Sequence, residues 1–251
     1  PPPPPPFFFF PQTPPHPILS GLVGSEMCIR DSLSSPKARK AFDLSLESKE
    51  SYDTYKVGGR FGLGCLLAKR LTEAGARFIE VTHGYYPFKY WDTHDNGHTK
   101  MKDLKKMIDA PIAQLVLDLE KSKLLDRTLI VVASELSRDM MMEGKPEKRV
   151  KDKVKVPPRI DGPQHYRMHR HFTGAGSVLL FGGGIKKGFV YGETADERPC
   201  TTIKDPINTQ QLHATMYRAL GIPHDHHYNV EQRPFYVTPD GVTEPVMDLF
   251  G

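Results

Sequence analysis

Cysteine is scarce. Only Cys28, Cys65 and Cys200 occur in 251 residues, with no Cys-x-x-Cys spacing. That excludes a disulfide scaffold and a cysteine-based zinc finger. No apolar run approaches the ~20 residues a membrane-spanning helix needs, so no membrane partner is expected. Neither sign of charge dominates: 34 Lys and Arg stand against 30 Asp and Glu, a net +4. So mild a balance points to no nucleic-acid partner. Charged residues make up 25% of the chain and apolar residues 38% in clear patterns, which excludes wholesale disorder.

Proline and histidine are present in uneven clusters. Ten of the 23 prolines lie in residues 1–17, within PPPPPPFFFFPQTPPHP. Proline denies this segment both helix and central strand. It contains no Lys or Arg, so it lacks the basic start of a signal peptide, and no targeting signal is read in the chain. The following LVGSEMCIRDS resembles a translated sequencing adapter. Residues 1–33 are therefore read as a disordered, non-native leader, a natural linker being the alternative, and 34–251 as the domain.

Within the domain, helix and strand patterns alternate. Phe61, Leu63, Leu66, Leu67 and Leu71 form a helical stripe over 60–74, closed by Gly75. Ala76–Thr82 reads as a short strand. Met101, Leu104, Ile108, Ile112, Leu115 and Leu119 predict a long amphipathic helix that Pro111 should kink or divide. Thr128–Ser134 and Ser177–Phe181 are apolar runs suited to strands buried on both faces. A last helix is expected over Thr209–Leu220, ending at Gly221. The alternation predicts an α/β layered fold around a mostly parallel central sheet. Residues 139–171 show no periodicity. The seven Lys and Arg between Lys145 and Arg159 are interspersed with acids, which reads as a solvated excursion.

Ligands of open α/β sheets bind beyond the carboxyl ends of strands. Three such places carry metal-ligand side chains. Trp91-Asp92-Thr93-His94 spaces a carboxylate and an imidazole one residue apart, so an extended segment projects both to one side. His98 is a further candidate. Glu135 follows the Thr128–Ser134 run, and a carboxylate there needs a partner or a metal. His169 and His171 precede the third run. Carboxylate with imidazole suits zinc, or a harder divalent ion where oxygen ligands dominate. The blander reading is a loop hydrogen bond at Asp92, a pair of Glu135 with Arg138, and histidines at the surface. Gly182-Gly183-Gly184 reads as a tight turn, and Cys65 as core.

From about Ser35 to Phe250 the chain resembles the carboxyl-terminal half of a bacterial family of the alkaline-phosphatase-like superfamily, domain of unknown function 1501. The resemblance rests on RFGLGCLLAKRLTEAGARFIEV, WDTH, LLDRTLIVVASELSR, HFTGAGSVLLFGGGIKKG and LHATMYRALGI. It implies a phosphatase- and sulfatase-like fold, here truncated on its amino-terminal side, with a divalent-metal centre. Zinc is the first choice, with calcium, magnesium or manganese as alternatives. The substrate it implies is a small anionic ester of phosphate or sulfate. Export of the parent protein to the periplasm or cell envelope is implied too. By position, Asp92, His94 and His171 would ligate a first metal, Glu135 a second, and Arg138 would steady the substrate as the catalytic arginine. Leu136 and Ser137 stand where the family has Phe and Gly, and Arg170 where it has Asp. These departures put the second metal in doubt. The family's nucleophile belongs to the amino-terminal half, so this fragment is expected to be inactive alone. The alternative is a non-catalytic binding or scaffolding member.

Overall fold

Four helices and the turn after them supply the core. The computed structural model describes residues 36–84, 89–93, 97–138, 171–172, 174–196 and 201–251. Helices α1 (Pro36–Phe42), α2 (Lys49–Lys56), α3 (Gly59–Ala74) and α4 (Gly97–Lys121) come first. Ser48 caps α2 by accepting a hydrogen bond from the Ser51 backbone N–H. Gly75 ends α3 as expected, at φ 96°, where an L side chain is disfavoured. Cys65 and Leu66 of α3, Leu115 and Leu119 of α4, Tyr55 of α2 and Leu125 form one buried cluster. Each leucine buried there is worth about 1.5–3 kcal/mol.

Pro111 does not divide the long helix. The assignment runs unbroken from Gly97 to Lys121, with Pro111 fully buried. Proline removes the N–H that would bond the Met107 carbonyl and needs room for its ring. Gly58 and Gly62 provide that room. A Cβ on Gly58 would stand 2.4 Å from Pro111 Cγ and 2.6 Å from the Met107 oxygen. Two glycines at the start of α3 thus form the notch in which the proline sits.

Polar groups around this core are paired. The Tyr55 hydroxyl donates to Asp118 Oδ2 at 2.9 Å, and Gln114 Nε2 donates to Oδ1 at 2.8 Å. Burial, followed by the hydrogen bond and charge of Asp118, pushes the Tyr55 phenol well above its ordinary range. Glu47, between α1 and α2, receives Lys69 at 3.3 Å as well as Arg70 and the Ser51 hydroxyl.

The strands depart from expectation. Four short pairs are present among the described residues, all antiparallel. β1 (Ile130–Val132) and β4 (Leu179–Phe181) fall inside the predicted apolar runs, yet they pair antiparallel, Ile130 opposite Phe181 and Val132 opposite Leu179. An apolar run carries no information about direction, and the expected burial on both faces is not met either: β1 is half-buried and Leu179 of β4 is exposed. The direction follows from β2 (Ser137–Arg138) and β3 (His171–Phe172), which pair antiparallel inside the first ladder. The two arms, 130–138 and 171–181, therefore form one interrupted hairpin, and β4 has to run back along β1. Ala76–Thr82 forms no ladder among the described residues, and a strand needs a neighbour to bond. From Phe78 onward its burial nonetheless alternates, with Val81 packed on the helical cluster.

The remainder is small. β5 (Glu193–Thr194) pairs β6 (Thr202–Lys204), and β7 (His227–Val230) pairs β8 (Arg233–Tyr236). Between these pairs lies α5 (Thr209–Ala219), opened by an Asn208–Gln211 capping box and followed by Gly221 at φ 76°. The three consecutive glycines make the expected turn, at φ 68°, 57° and 81°. The Gly183 N–H bonds the Leu125 carbonyl at 3.0 Å, and a Cβ on Gly182 would meet that oxygen at 2.3 Å. The expected leader, residues 1–33, lies outside the described residues, as do Cys28 and Cys200.

Candidate functional site

Asp92 stands at the end of a tight turn. Its N–H bonds the Lys89 carbonyl at 3.1 Å, and Tyr90, the residue after Lys89, has φ 52°. A bulky side chain in the left-handed region is strained and persists only where its surroundings fix it. His83 lies at the centre of the described side-chain contacts of this turn. Trp91 Nε1 donates to His83 Nδ1 at 2.9 Å. The His83 ring lies 5.9 Å edge-on from Tyr90, 5.8 Å from Trp91 and 5.5 Å from Phe61 of α3. Thr93, next along, is buried.

From this turn the Asp92 carboxylate meets Arg138 of β2. Arg138 Nη2 donates to Asp92 Oδ1, with both side chains largely buried at 17% and 16% exposure. The other terminal nitrogen, Nη1, is buried and has no hydrogen-bond partner among the described residues. A buried cationic donor without an acceptor is costly, and an anionic oxygen would satisfy it. His171 is the ladder partner of Arg138, so the two side chains share one face of the β2–β3 pair.

Of the seven residues singled out by sequence, some fall among the described side chains and some do not. Asp92 and Arg138 meet, and the exposed His171 lies across the ladder from Arg138. Glu135 is exposed at a bend two residues before β2, and no ion pair with Arg138 is recorded for it. His94 lies outside the described residues, as does His169; the side chain of His98 does too. Among the described residues no three His, Cys, Asp or Glu side chains converge as a metal site would require. Asp92, moreover, spends one oxygen on Arg138.

A family model described as a protein of unknown function, DUF1501, matches residues 21–249. The chain belongs to this family. The match begins inside the segment read as a leader. Neither a curated protein nor a solved structure matches the chain. No helix among the described residues of this DUF1501 member is long and apolar enough to cross a membrane.

Sequence reasoning overlooked His83 and Trp91. Their signal was faint: an indole next to Asp92, and a histidine nine residues before it. What joins them is a fold contact across eight positions.

Proposed function

We propose that this DUF1501 chain is part of a metal-dependent hydrolase of phosphate or sulfate esters in the alkaline-phosphatase-like superfamily. The observation that supports the reading is the buried, acceptor-less Nη1 of Arg138 beside Asp92 and His171. In this reading Arg138 donates from Nη1 to a non-bridging oxygen of the ester, while Asp92 holds the guanidinium by Nη2. A planar guanidinium can serve both at once, which a lysine cannot. The resemblance supports the rest. Asp92, His94, Glu135 and His171 are the proposed metal ligands, zinc being the first choice, and the nucleophile belongs to an amino-terminal half. A bacterial, exported parent and a non-native leader over residues 1–33 are part of the same proposal.

The test is metal analysis and ester hydrolysis by the full-length parent protein, with Asp92→Ala and His171→Ala. Bound metal lost in both variants, together with turnover of an aryl phosphate or aryl sulfate, supports the reading. A full-length protein that holds no divalent ion would sink it. A second reading is a non-catalytic anion-binding member. The exposed Glu135, followed by Leu136 and Ser137 in place of the family's Phe and Gly, favours it. Inorganic phosphate or sulfate binding that depends on Arg138, without hydrolysis of any ester, would decide for this alternative.

A further inference from the structure

We infer that His83 is a positioning residue: through the Trp91 indole it sets the turn that aims the Asp92 carboxylate at Arg138. The inference deepens the proposed anion site, but its geometry stands whatever chemistry that site performs.

The indole nitrogen can only donate a hydrogen bond. At 2.9 Å from it, His83 Nδ1 must therefore be the acceptor, so the ring proton of neutral His83 sits on Nε2. This assigns His83 a definite tautomer and a definite task. The imidazole is tied to the helical core on its other side. Its ring contacts Phe61, and it stands two residues after Val81, which packs on the buried cluster. A Cβ on Gly64 would come within 2.9 Å of Val81 Cγ1, so the glycine in α3 lets that segment approach closely.

On the far side the indole belongs to the turn residue immediately before Asp92. Tyr90 would leave φ 52° for a relaxed conformation if nothing held the turn. His83 contacts both Tyr90 and Trp91, and among the described residues its one hydrogen bond is the one to the indole. The path from core to carboxylate runs Phe61, His83, Trp91, Asp92, Arg138. A general hydrophobic contact would not need an acceptor at Nδ1; a positioning contact does.

The test uses the full chain and nuclear magnetic resonance. Trp91 is the only tryptophan, so one indole N–H resonance reports the contact. In His83→Leu that resonance should move upfield and its hydrogen exchange quicken by about tenfold, the weight of one modest hydrogen bond. The Arg138 side-chain Nε–H resonance, assigned with Arg138→Lys, should move in the same variant. His83→Asn, whose amide oxygen can replace Nδ1 as acceptor, should restore both signals at least in part. Trp91→Phe leaves His83 intact and removes the donor, so it should reproduce the Arg138 change and guards against misfolding of the histidine variants. An indole resonance unchanged in His83→Leu overturns the inference. So does an Arg138 signal that stays fixed while the indole moves, or an asparagine variant no closer to wild type than leucine. None of these readings uses an ester or a metal. Loss of the hydrolase proposal would leave them untouched.

Discussion

Arg138 and Asp92, 46 positions apart in sequence, are joined by a hydrogen-bonded ion pair in which the arginine keeps one buried nitrogen unused. Arg138→Leu should destabilise the chain by about 1–3 kcal/mol through loss of a charge-assisted bond. It should also abolish binding of inorganic phosphate or sulfate by the wild-type chain. Arg138→Lys should recover part of the stability and little of the binding, because an ammonium lacks the fork. Urea unfolding and calorimetric titration measure the two effects. Equal anion affinity in all three proteins would remove Arg138 from the site.

Glu47 makes an acid-sensitive contribution. Burial pushes its carboxyl up, but hydrogen bonds from Arg70 and Ser51 and the charge of Lys69 outweigh burial and hold it below its ordinary 4.5. A depressed carboxylate stabilises the fold above its unfolded value and loses that contribution as pH falls through the folded one. Glu47→Gln should therefore cost about 1–3 kcal/mol at neutral pH, with the gap to wild type closing in acid. Parallel denaturation curves across the acid range check the convergence.

Cys65 behaves in the opposite sense. Burial pushes its thiol from 9.0 up to about 11. The protonated form is favoured in the fold, so its contribution is complete below pH 9 and is lost as pH rises through about 11. Two units correspond to roughly 2–3 kcal/mol. Native protein should resist alkylation at Cys65 and react there after unfolding. Peptide mass spectrometry of alkylated protein would show the protection, and modification of Cys65 in the native state would contradict it.

Gly58→Ala should destabilise by about 1–3 kcal/mol or more, because the added methyl overlaps Pro111 and the Met107 carbonyl. Pro111→Ala in the same chain should relieve the ring overlap and leave the carbonyl one. A double-mutant cycle should then show favourable coupling. Additive losses would mean that the notch does not hold the proline.

How much of this was legible in the sequence depends on the kind of signal. The helix of residues 59–74 and its stop at Gly75 were readable, since periodicity and a left-handed glycine are local. The length of the long helix was not, because the room for Pro111 comes from Gly58 and Gly62, which lie some fifty residues earlier. Apolar runs located β1 and β4, but they were read as strands of a mostly parallel sheet, whereas the two pair antiparallel, in keeping with the pairing of Arg138 with His171. In the site, residue chemistry pointed to Asp92 and His171 together with His94 and Glu135, while Arg138 came from the family resemblance. The indole–imidazole bond behind Asp92 has no sequence signature, since neither residue type nor spacing encodes it.

The interrupted hairpin also fixes how the protein can be rebuilt. Since Arg138 and His171 are ladder partners, positions 138 and 171 stand side by side and form a single port beside the Asp92 carboxylate. Closing that port with a short linker, or grafting a foreign segment into it, changes the entropy of closure only slowly with length. The helical core keeps its threading either way, while whatever is inserted borders the ion pair directly.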